Sequence, residues 1–320
     1  LSVSHDLVIQ RATVDRASAG KRQALAAMLP VLSASATYRL NDEEVKLGDS
    51  VVKRQHDIFG SMRLSMGLFD ARALPSLSIA GQRVDQATLH LRSLREQIIL
   101  DVAVAYYSAL TAEQLEGIAQ RAVDARKRHL AVAETRLHAR VGVILDVERA
   151  RAELHRAEGD LIEATAQVAA TRDGLAIAIG RAPPLAVTLT RPESHQPSTL
   201  LADEAATRAR THRLDLQVLR AQTRIMDDAE FVTWMAFVPT LSLVGNLDFS
   251  QASFNKTKEV TPSLSITLGW TLYDGGYRYA QLREDAANIR EARARLAQRE
   301  LAVVADVRGA IRAIQTAKAS

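Results

Sequence analysis

The polar and apolar positions from Thr261 to Arg278, "TPSLSITLGWTLYDGGYR", predict a strand in a chain that otherwise has the pattern of helices. Small polar residues alternate with large apolar ones: Ser263, Ser265, Thr267, Gly269 and Thr271 with Leu264, Ile266, Leu268, Trp270 and Leu272. Because successive side chains of a strand point to opposite faces, this segment has one polar and one apolar face. A strand over about 263–273 is therefore predicted.

The pattern occurs twice along the chain. The segment from Asp6 to Ser35 aligns without a gap on the segment from Asp215 to Val244, and the alignment pairs Pro30 with Pro239. Such self-similarity indicates a structural repeat. Each copy reads helix, proline, strand, polar loop, strand, turn and long helix. The predicted strands lie at about 31–40 and 58–69 in the first copy, and at about 240–250 and 263–273 in the second.

Two interpretations of these strands are open. A half-buried antiparallel sheet in a soluble α+β domain would show the same alternation on any single strand. Four matched strands of about ten residues, with charged loops at one end and helices at the other, favour a membrane-spanning sheet. Four strands cannot close a barrel, and open edges in lipid would leave backbone groups unpaired. Three chains would give twelve strands around a lumen.

Two long helical segments follow the first strand pair. From Pro75 to Ala139 there is no internal proline, which predicts a helix of about 65 residues and about 100 Å. After a turn near 140–143, a second helix is predicted to end near Gly180. Apolar residues at three- and four-residue spacing favour a coiled-coil hairpin. The hairpin would occupy 75–180.

The prolines mark the division between the copies. Residues 1–180 form the first repeat, 181–199 a proline-rich linker with a short strand at 186–190, and 200–320 the second repeat, whose helix starts near Thr199. The second copy ends at the position equivalent to Glu116 of the first. About 65 further residues would complete it if the repeat were symmetric.

Composition excludes several classes of function. The chain has no cysteine, so disulfides, thiolate metal sites and cysteine catalysis are excluded. The net charge of +4 comes from arginines interspersed with acidic residues, without the clustered basic patch of a nucleic-acid-binding protein. The eight histidines are scattered, and no zinc or nucleophile motif occurs. We therefore expect no enzyme activity, no metal site, no cofactor and no nucleic-acid partner.

The sequence resembles the TolC-like outer-membrane efflux and secretion channels over almost its whole length. The resemblance rests on the duplicated strand–strand–helix unit, the "P-x-L-S" strand entries at Pro30 and Pro239, "WTLYDGGYR", "RLHARVGVILDVERARAELHRAEGDL" and "LAIAIGR". It implies an α+β membrane protein: a homotrimer with a twelve-stranded barrel in the outer membrane of a Gram-negative bacterium and an α-helical tunnel in the periplasm.

The resemblance also implies partners and a function. The family works with a periplasmic adaptor protein and an inner-membrane transporter, either a proton-driven pump or an ABC transporter. It passes drugs, metal ions or unfolded polypeptide, without chemistry on the cargo. The acidic residues that constrict the family's closed tunnel would lie beyond Ser320. The rival hypothesis is an elongated, soluble coiled-coil scaffold or adaptor without a pore.

The hairpin turn matches the family's adaptor-docking tip. The family pattern has arginine, glycine four positions later, and aspartate six positions after that glycine. Arg136 and Asp146 fit it, with Arg140 at the glycine position; alternatively, Gly142 is that glycine and the turn is shorter. The candidate tip comprises Arg136, Arg140, Val141, Gly142, Val143, Leu145, Asp146 and Val147.

Elementary chemistry predicts a role for several of these tip residues. Gly142 would take a positive φ at the chain reversal. Val143 and Leu145 would offer apolar contacts to a partner helix, and Asp146 would lie near the N-terminus of the returning helix, where a carboxylate is favoured. The alternative is that Gly142 and Asp146 serve only as turn and cap.

Two further groups of candidate residues belong to the strands and their ends. The lumen-facing candidates are Arg39, Arg63, Ser263, Ser265, Thr267 and Thr271. On one hypothesis Arg39 and Arg63 bias the passage of ions through the channel. On the other, they are simply solvated on its water-filled side. The strand-to-helix joints comprise Asp70 in the first copy and Asp274, Gly275 and Gly276 in the second, with Asp274 as a helix cap. The glycine pair lacks the lysine of a phosphate-binding loop.

Overall fold

The computed structural model describes residues 5–47, 50–53, 55–191, 201–250 and 260–319. Long helices and one larger sheet make up this part of the chain, which confirms the predicted α+β class. The elements in chain order are α1 (His5–Ala26), β1 (Val31–Leu40), β2 (Val45–Leu47), β3 (Ser50–Lys53), β4 (His56–Phe69), α2 (Ala73–His138), α3 (Ile144–Ala178), α4 (Ala202–His212), α5 (Leu214–Met235), β5 (Thr240–Ser250), β6 (Val260–Gly269) and α6 (Tyr277–Ala319).

The main sheet has four antiparallel strands in the order β1–β4–β5–β6. β1 and β5 have the predicted bounds, and β4 begins two residues before the predicted 58. The predicted strand at 263–273 ends at Gly269 because its partner β5 begins at Thr240, which lies opposite Gly269. Pro239 precedes β5 and has no N–H to extend the ladder. Thr271 therefore lies outside the strand.

Three other segments differ from the sequence prediction. The predicted strand at 186–190 is absent, because the Tyr106 hydroxyl donates to the Thr190 carbonyl and accepts the Thr190 N–H at 3.1 Å. The polar loop after β1 contains a short hairpin, β2–β3. The helix expected from about 199 is two helices, which break at Arg213 in an extended conformation (φ −61°, ψ 125°).

The chain divides into two compact units. The first comprises Leu1–Ala12 and His90–Leu200, and it contains α3 and the part of α2 that begins at His90. Val123, Leu154 and Ala157 form one buried cluster along this hairpin. Arg172 and Glu113 form an ion pair at 2.6 Å between the two helices. Small and branched apolar side chains thus hold α2 against α3, with ion pairs at the rim of the contact.

The second unit comprises Thr13–Leu89 and Leu201–Ser320, and it contains the sheet. Here α5 packs on α6, and Leu216 and Val303 are fully buried. These units group residues by contact in space, whereas the repeat groups them by sequence. The boundaries at 1–180, 181–199 and 200–320 stay a prediction about the repeat.

A cluster of ion pairs connects α5 to α6. The Asp215 carboxylate lies 2.9 Å from the Arg213 guanidinium and 2.8 Å from that of Arg299. Burial alone would raise the pKa of the Asp215 carboxyl, but hydrogen bonds from Arg213 and Arg299 outweigh burial and hold that pKa below its usual range. The charged carboxylate therefore stabilises the fold at neutral pH.

We expect this cluster to make the stability of the fold depend on pH. A carboxyl whose pKa is lowered in the folded state stabilises the fold at pH values above its ordinary pKa of about 3.9. This stabilisation disappears as the pH falls through the lowered pKa. We expect Asp215→Asn to cost about 1 kcal/mol at neutral pH and progressively less below about pH 4. Urea unfolding at a series of pH values measures the difference. Asp203→Asn, at a side chain 90% exposed, is the matched control and should change little; an equal loss for Asp215→Asn at every pH would contradict the assignment.

None of the described helices combines the length and the apolar character needed to cross a bilayer. Within the same described ranges, histidines and acidic residues form no group that would hold a metal ion.

Candidate functional site

The register of the sheet gathers polar side chains on one face. Residues directly opposite one another on neighbouring strands lie on the same face. One polar row crosses all four strands: Ser33, Arg63, Asn246 and Ser263. Hydrogen bonds cross the strands on this face, from Asn246 Nδ2 to Ser263 Oγ at 3.3 Å and between Ser35 Oγ and Ser61 Oγ at 2.8 Å. The four alternating patterns thus combine into one continuous polar surface.

The other face of the sheet is apolar. A row next to the polar one consists of Leu32, Leu64, Gly245 and Leu264. Leu264 is 74% exposed, so no part of the described chain covers this face at β6. From Ile58 to Phe69, β4 rises about 36 Å along its own axis, which corresponds to about 28 Å at a tilt of about 40°. That height is close to the roughly 25 Å apolar band of membrane barrels.

Most of the predicted lumen-facing residues share the polar face. Ser265 lies opposite Val244, and Thr267 lies opposite Ser242. Arg39 lies opposite the buried Asp57, and its guanidinium is 5.0 Å from the centre of the Phe59 ring. Thr271 is the exception, since it follows the end of β6. Its carbonyl accepts a hydrogen bond from Arg278 at 2.7 Å instead of pairing with a strand.

The second strand-to-helix joint is built around Arg278, which the sequence prediction did not include. Its guanidinium donates to the Asp274 carboxylate at 2.6 Å, to the Ala236 carbonyl at 3.2 Å and to the Thr271 carbonyl, and it lies 4.4 Å from the centre of the Phe237 ring. One nearly buried side chain thus connects the end of α5, the end of β6 and the start of α6. The sequence signal that could have indicated this role is the four-residue spacing between Asp274 and Arg278 in "DGGYR".

Asp274 and the two glycines shape the turn at this joint. Gly275 and Gly276 have φ values of 70° and 88°, a region that glycine enters without steric cost. The Asp274 carboxylate accepts the backbone N–H groups of Gly276 at 3.1 Å and Arg278 at 3.2 Å. Partial burial raises the pKa of this carboxyl, but the hydrogen bonds from Arg278 outweigh it and leave the pKa lowered.

The first joint uses a local and more exposed ion pair. The Arg72 guanidinium donates to the Asp70 carboxylate at 3.0 and 2.8 Å, and the Arg72 backbone N–H donates to it at 2.9 Å. Hydrogen bonds from Arg72 hold the pKa of the Asp70 carboxyl below its usual range. This turn closes without a glycine, because neither Ala71 nor Arg72 adopts a positive φ.

The hairpin tip reverses direction at Arg140. Arg140 N–H donates to the Leu137 carbonyl and Val141 N–H to the Arg136 carbonyl, both at 3.0 Å. These two bonds define a Schellman motif, in which one residue adopts a left-handed conformation. Arg140 is that residue, with φ 56°. It stands where the family pattern has glycine.

The expected positive φ of Gly142 is wrong; among the glycines in the described ranges only Gly180, Gly275 and Gly276 have positive φ. Glycine is favoured at position 142 for a different reason. A Cβ at this position would lie 3.2 Å from the Arg136 carbonyl carbon and the Leu137 nitrogen. Close approach of the chain to the end of α2 therefore favours glycine here.

The remaining tip residues separate into exposed and buried ones. Val141 is 77% exposed, and Val143 and Leu145 are also largely exposed. Asp146 lies in the first turn of α3 and is exposed, as expected. Val147 is buried between the helices and is not available to a partner, which corrects its place among the candidates. A groove of about 370 Å³ beside the tip is lined by Arg136, Val141, Gly142 and Asp146.

Glycine at position 140 should stabilise the tip. A non-glycine residue in the left-handed region costs about 1–2 kcal/mol. Glycine removes this cost, but the greater flexibility that it gives the unfolded chain offsets part of the gain. We expect Arg140→Gly to gain about 0.5–1 kcal/mol, measured as slower hydrogen exchange of the Val141 amide. Gly180 holds the same position in the same motif at the end of α3, with φ 76°. Gly180→Arg should therefore lose stability, and equal signs for the two changes would contradict this reading.

Comparison with known proteins now identifies the family. The model of the outer membrane efflux protein family matches residues 1–181 and 205–320. The chain belongs to this family. It is therefore an outer-membrane protein, as the resemblance implied, and the soluble-scaffold alternative has no support. The family is one of efflux proteins and not of enzymes.

Sequence and structural relatives agree with this assignment. The chain is 22% identical over 258 residues to the outer membrane protein TolC of Vibrio cholerae. The aligned region covers 78% of this chain but only 58% of TolC. Its fold is similar to that of VceC from Vibrio cholerae, with a TM-score of 0.81 at 18% identity, covering 98% of this chain and 76% of VceC. The CmeC channel of Campylobacter jejuni gives a TM-score of 0.77 at 17% identity, covering 99% and 71%.

Proposed function

We propose that this chain forms the outer-membrane exit duct of an efflux or type I secretion system, as a homotrimer whose twelve strands close one barrel. The observation that carries the proposal is the four-stranded sheet with one continuous polar face and one exposed apolar face. The apolar face would contact lipid, and the polar face would line water. Arg39, Arg63, Ser263, Ser265 and Thr267 would lie on the channel wall.

The sheet edges support closure by other copies. β1 and β6 are the edge strands, and each has ten residues. Unpaired N–H and C=O groups in lipid cost several kcal/mol each, so two open edges of this length would not be stable in a bilayer. Pairing β6 of one copy with β1 of the next removes both edges. Strands of equal length would allow that pairing to extend along both edges.

The long helices would form the periplasmic tunnel. α2 has 66 residues, about 99 Å at 1.5 Å per residue. In this assembly the hairpin tip would be the docking site for a periplasmic adaptor, which connects the duct to an inner-membrane transporter. Val141, Val143 and Leu145 would supply apolar contacts, and Arg136, Arg140 and Asp146 would supply charge. The family-level fold and these exposed side chains support this assignment.

Reconstitution tests the duct directly. The full-length protein, extracted from the outer-membrane fraction, is expected to migrate as a heat-sensitive trimer and to give stepwise ion conductance in planar bilayers. A monomer that stays soluble without detergent, or a trimer that gives no conductance, would overturn the proposal.

Charge changes at the tip test the docking assignment separately. Val143→Asp and Asp146→Arg are expected to abolish most export in cells while trimer assembly and bilayer conductance stay normal. Asp160→Arg is the matched control, since Asp160 is an exposed acid of α3 away from the tip. Normal export by both tip variants, or equal losses for the control, would contradict docking at this surface.

A further inference from the structure

We infer that residues 270–273 complete β6 only when copies of this chain assemble, by pairing with the start of β1 of the next copy in a register that the internal repeat fixes. This inference rests on the proposed function and adds to it the register of the contact. The occupant of the open edge of β6 is a second copy of this chain. We call the contact of β6 with β1 of the next copy the seam.

The two copies of the repeat have the same strand register. The segments that contain β1 and β5 align at a spacing of 209 residues, and those that contain β4 and β6 align at a spacing of 204 residues, where "LFD" matches "LYD". Val31 of β1 lies opposite Ser65 of β4. Their counterparts at these spacings, Thr240 and Gly269, lie opposite each other in β5 and β6. The repeat therefore extends from the sequence to the pairing of the strands.

The pairing of β4 with β5 is a template for the seam. It joins the second strand of one repeat copy to the first strand of another, as the seam does. Arg63 of β4 lies opposite Asn246 of β5. The same two spacings place Thr267 of one chain opposite Thr37 of the next. In this register the polar faces of β6 and β1 coincide, and so do their apolar faces.

The template also accounts for the end of β6. β4 continues to Phe69, beyond the start of its pairing with β1 at Ser65, because its last residues pair with β5. The counterparts of residues 66–69 are residues 270–273, which continue the alternation but follow the last pair of β6 with β5. In the template register residues 270–273 lie beside residues 32–34 of the next copy.

Backbone direction and exposure agree with this pairing. The Thr271 carbonyl accepts a hydrogen bond from Arg278 of the same chain at 2.7 Å. Backbone groups of successive strand residues point to opposite sides. Those of Trp270 and Leu272 would therefore point to the open edge, and Leu272 is 75% exposed in the single chain. The seam would pair these backbone groups, which lipid cannot satisfy.

A flush pairing of the two ten-residue edge strands is the competing arrangement. It would place Thr267 opposite Ser33 and leave residues 270–273 without a partner. The two arrangements differ by four residues, about 13 Å along a strand. In the template register Thr267 and Thr37 form a non-hydrogen-bonded pair, whose Cα atoms lie about 4.5 Å apart, within the reach of a disulfide. Cross-linking therefore separates the two arrangements.

Oxidation of cysteine pairs in the full-length trimer tests the register, in a background without other cysteines. We expect Thr267→Cys with Thr37→Cys to shift the protein from monomer to a covalent trimer that survives boiling and is released by reductant. Thr267→Cys with Ser33→Cys should remain monomeric after boiling. Arg63→Cys with Asn246→Cys, the template pair within one chain, is the matched control and should form an internal disulfide.

A further pair tests the extension of β6. Thr271→Cys with Ser33→Cys should also give a covalent trimer, because these residues lie opposite each other in the template register. Cross-linking of Thr267 with Thr37 but not of Thr271 with Ser33 would show that the end of β6 stays unpaired. That result would overturn the inference, and so would a covalent trimer from Thr267→Cys with Ser33→Cys.

Failure of the seam can be distinguished from failure of the proposed function. If the unsubstituted protein forms no trimer or gives no conductance, the proposed duct is wrong. If that trimer conducts and the control pair oxidises, but neither seam pair does, only the inferred seam is overturned.

Hydrogen exchange of the unsubstituted trimer gives a readout that needs no variant. In the template register the amides of Leu268 and Trp270 both bond to β1 of the next copy, so both should exchange slowly. A slow Leu268 amide with a fast Trp270 amide would indicate the flush arrangement and would contradict the inference.

Discussion

Replacing Leu264 with arginine is expected to keep the protein out of the outer membrane. Leu264 lies in the apolar row that crosses the middle of the sheet and is largely exposed. An arginine on the lipid face of a barrel costs about 2–4 kcal/mol at the bilayer midplane, and a trimer would carry three of them. Heat-sensitive trimers should therefore disappear from the outer-membrane fraction.

The neighbouring residue provides the control. Ser263 is one residue away but lies in the polar row with Arg63, where an arginine side chain is already present. Ser263→Arg should insert and assemble like the unchanged protein. If both substitutions are tolerated, or if Ser263→Arg alone fails, the two faces are wrongly assigned.

Replacing Arg278 with alanine is expected to unfold the second strand-to-helix joint. The side chain is only 11% exposed and supplies hydrogen bonds to the Ala236 and Thr271 carbonyls. Two charge-assisted hydrogen bonds of this kind contribute about 3 kcal/mol or more. The loss should appear as a lower unfolding temperature and as protease cleavage between β6 and α6.

Two variants make this expectation specific. Arg278→Lys keeps the charge but loses the planar fork that reaches three acceptors, so it should restore only part of the stability. Arg72→Ala removes the corresponding ion pair at the first joint, where the arginine side chain is 47% exposed, and it should cost less than about 1 kcal/mol. Equal losses at the two joints would show that burial of Arg278 is not the cause.

Alternation made the sheet predictable from sequence. β1 and β5 have the predicted bounds because each begins directly after a proline and continues with largely regular alternation. The end of β6 was not predictable in this way, because Trp270 and Leu272 continue the pattern after the strand has lost its partner. Alternation predicts which face of a sheet a side chain would occupy. A strand forms, however, only where a neighbouring strand supplies backbone hydrogen bonds.

Tertiary contacts decided the features that the sequence did not predict. Arg213 separates α4 from α5 without a proline or glycine, and its side chain is held by Asp215 and Asp306. At the tip, Gly142 suggested the left-handed residue, but the hydrogen bonds to the end of α2 place that conformation at Arg140. The family pattern had already put glycine at 140, so the resemblance carried the better information.

In the proposed duct, the apolar face of the sheet contacts lipid and the polar face contacts channel water. Residues 1–320 contain no cysteine, so a cysteine introduced among them, in a background without other cysteines, carries one spin label. Labels at successive positions from Ser263 to Leu268, in the trimer in bilayers, can be tested for collision with membrane-soluble oxygen and with a water-soluble nickel complex. We expect strict alternation, with nickel accessibility at Ser263, Ser265 and Thr267 and oxygen accessibility at Leu264, Ile266 and Leu268. Uniform access to nickel, or alternation in the opposite phase, would contradict it.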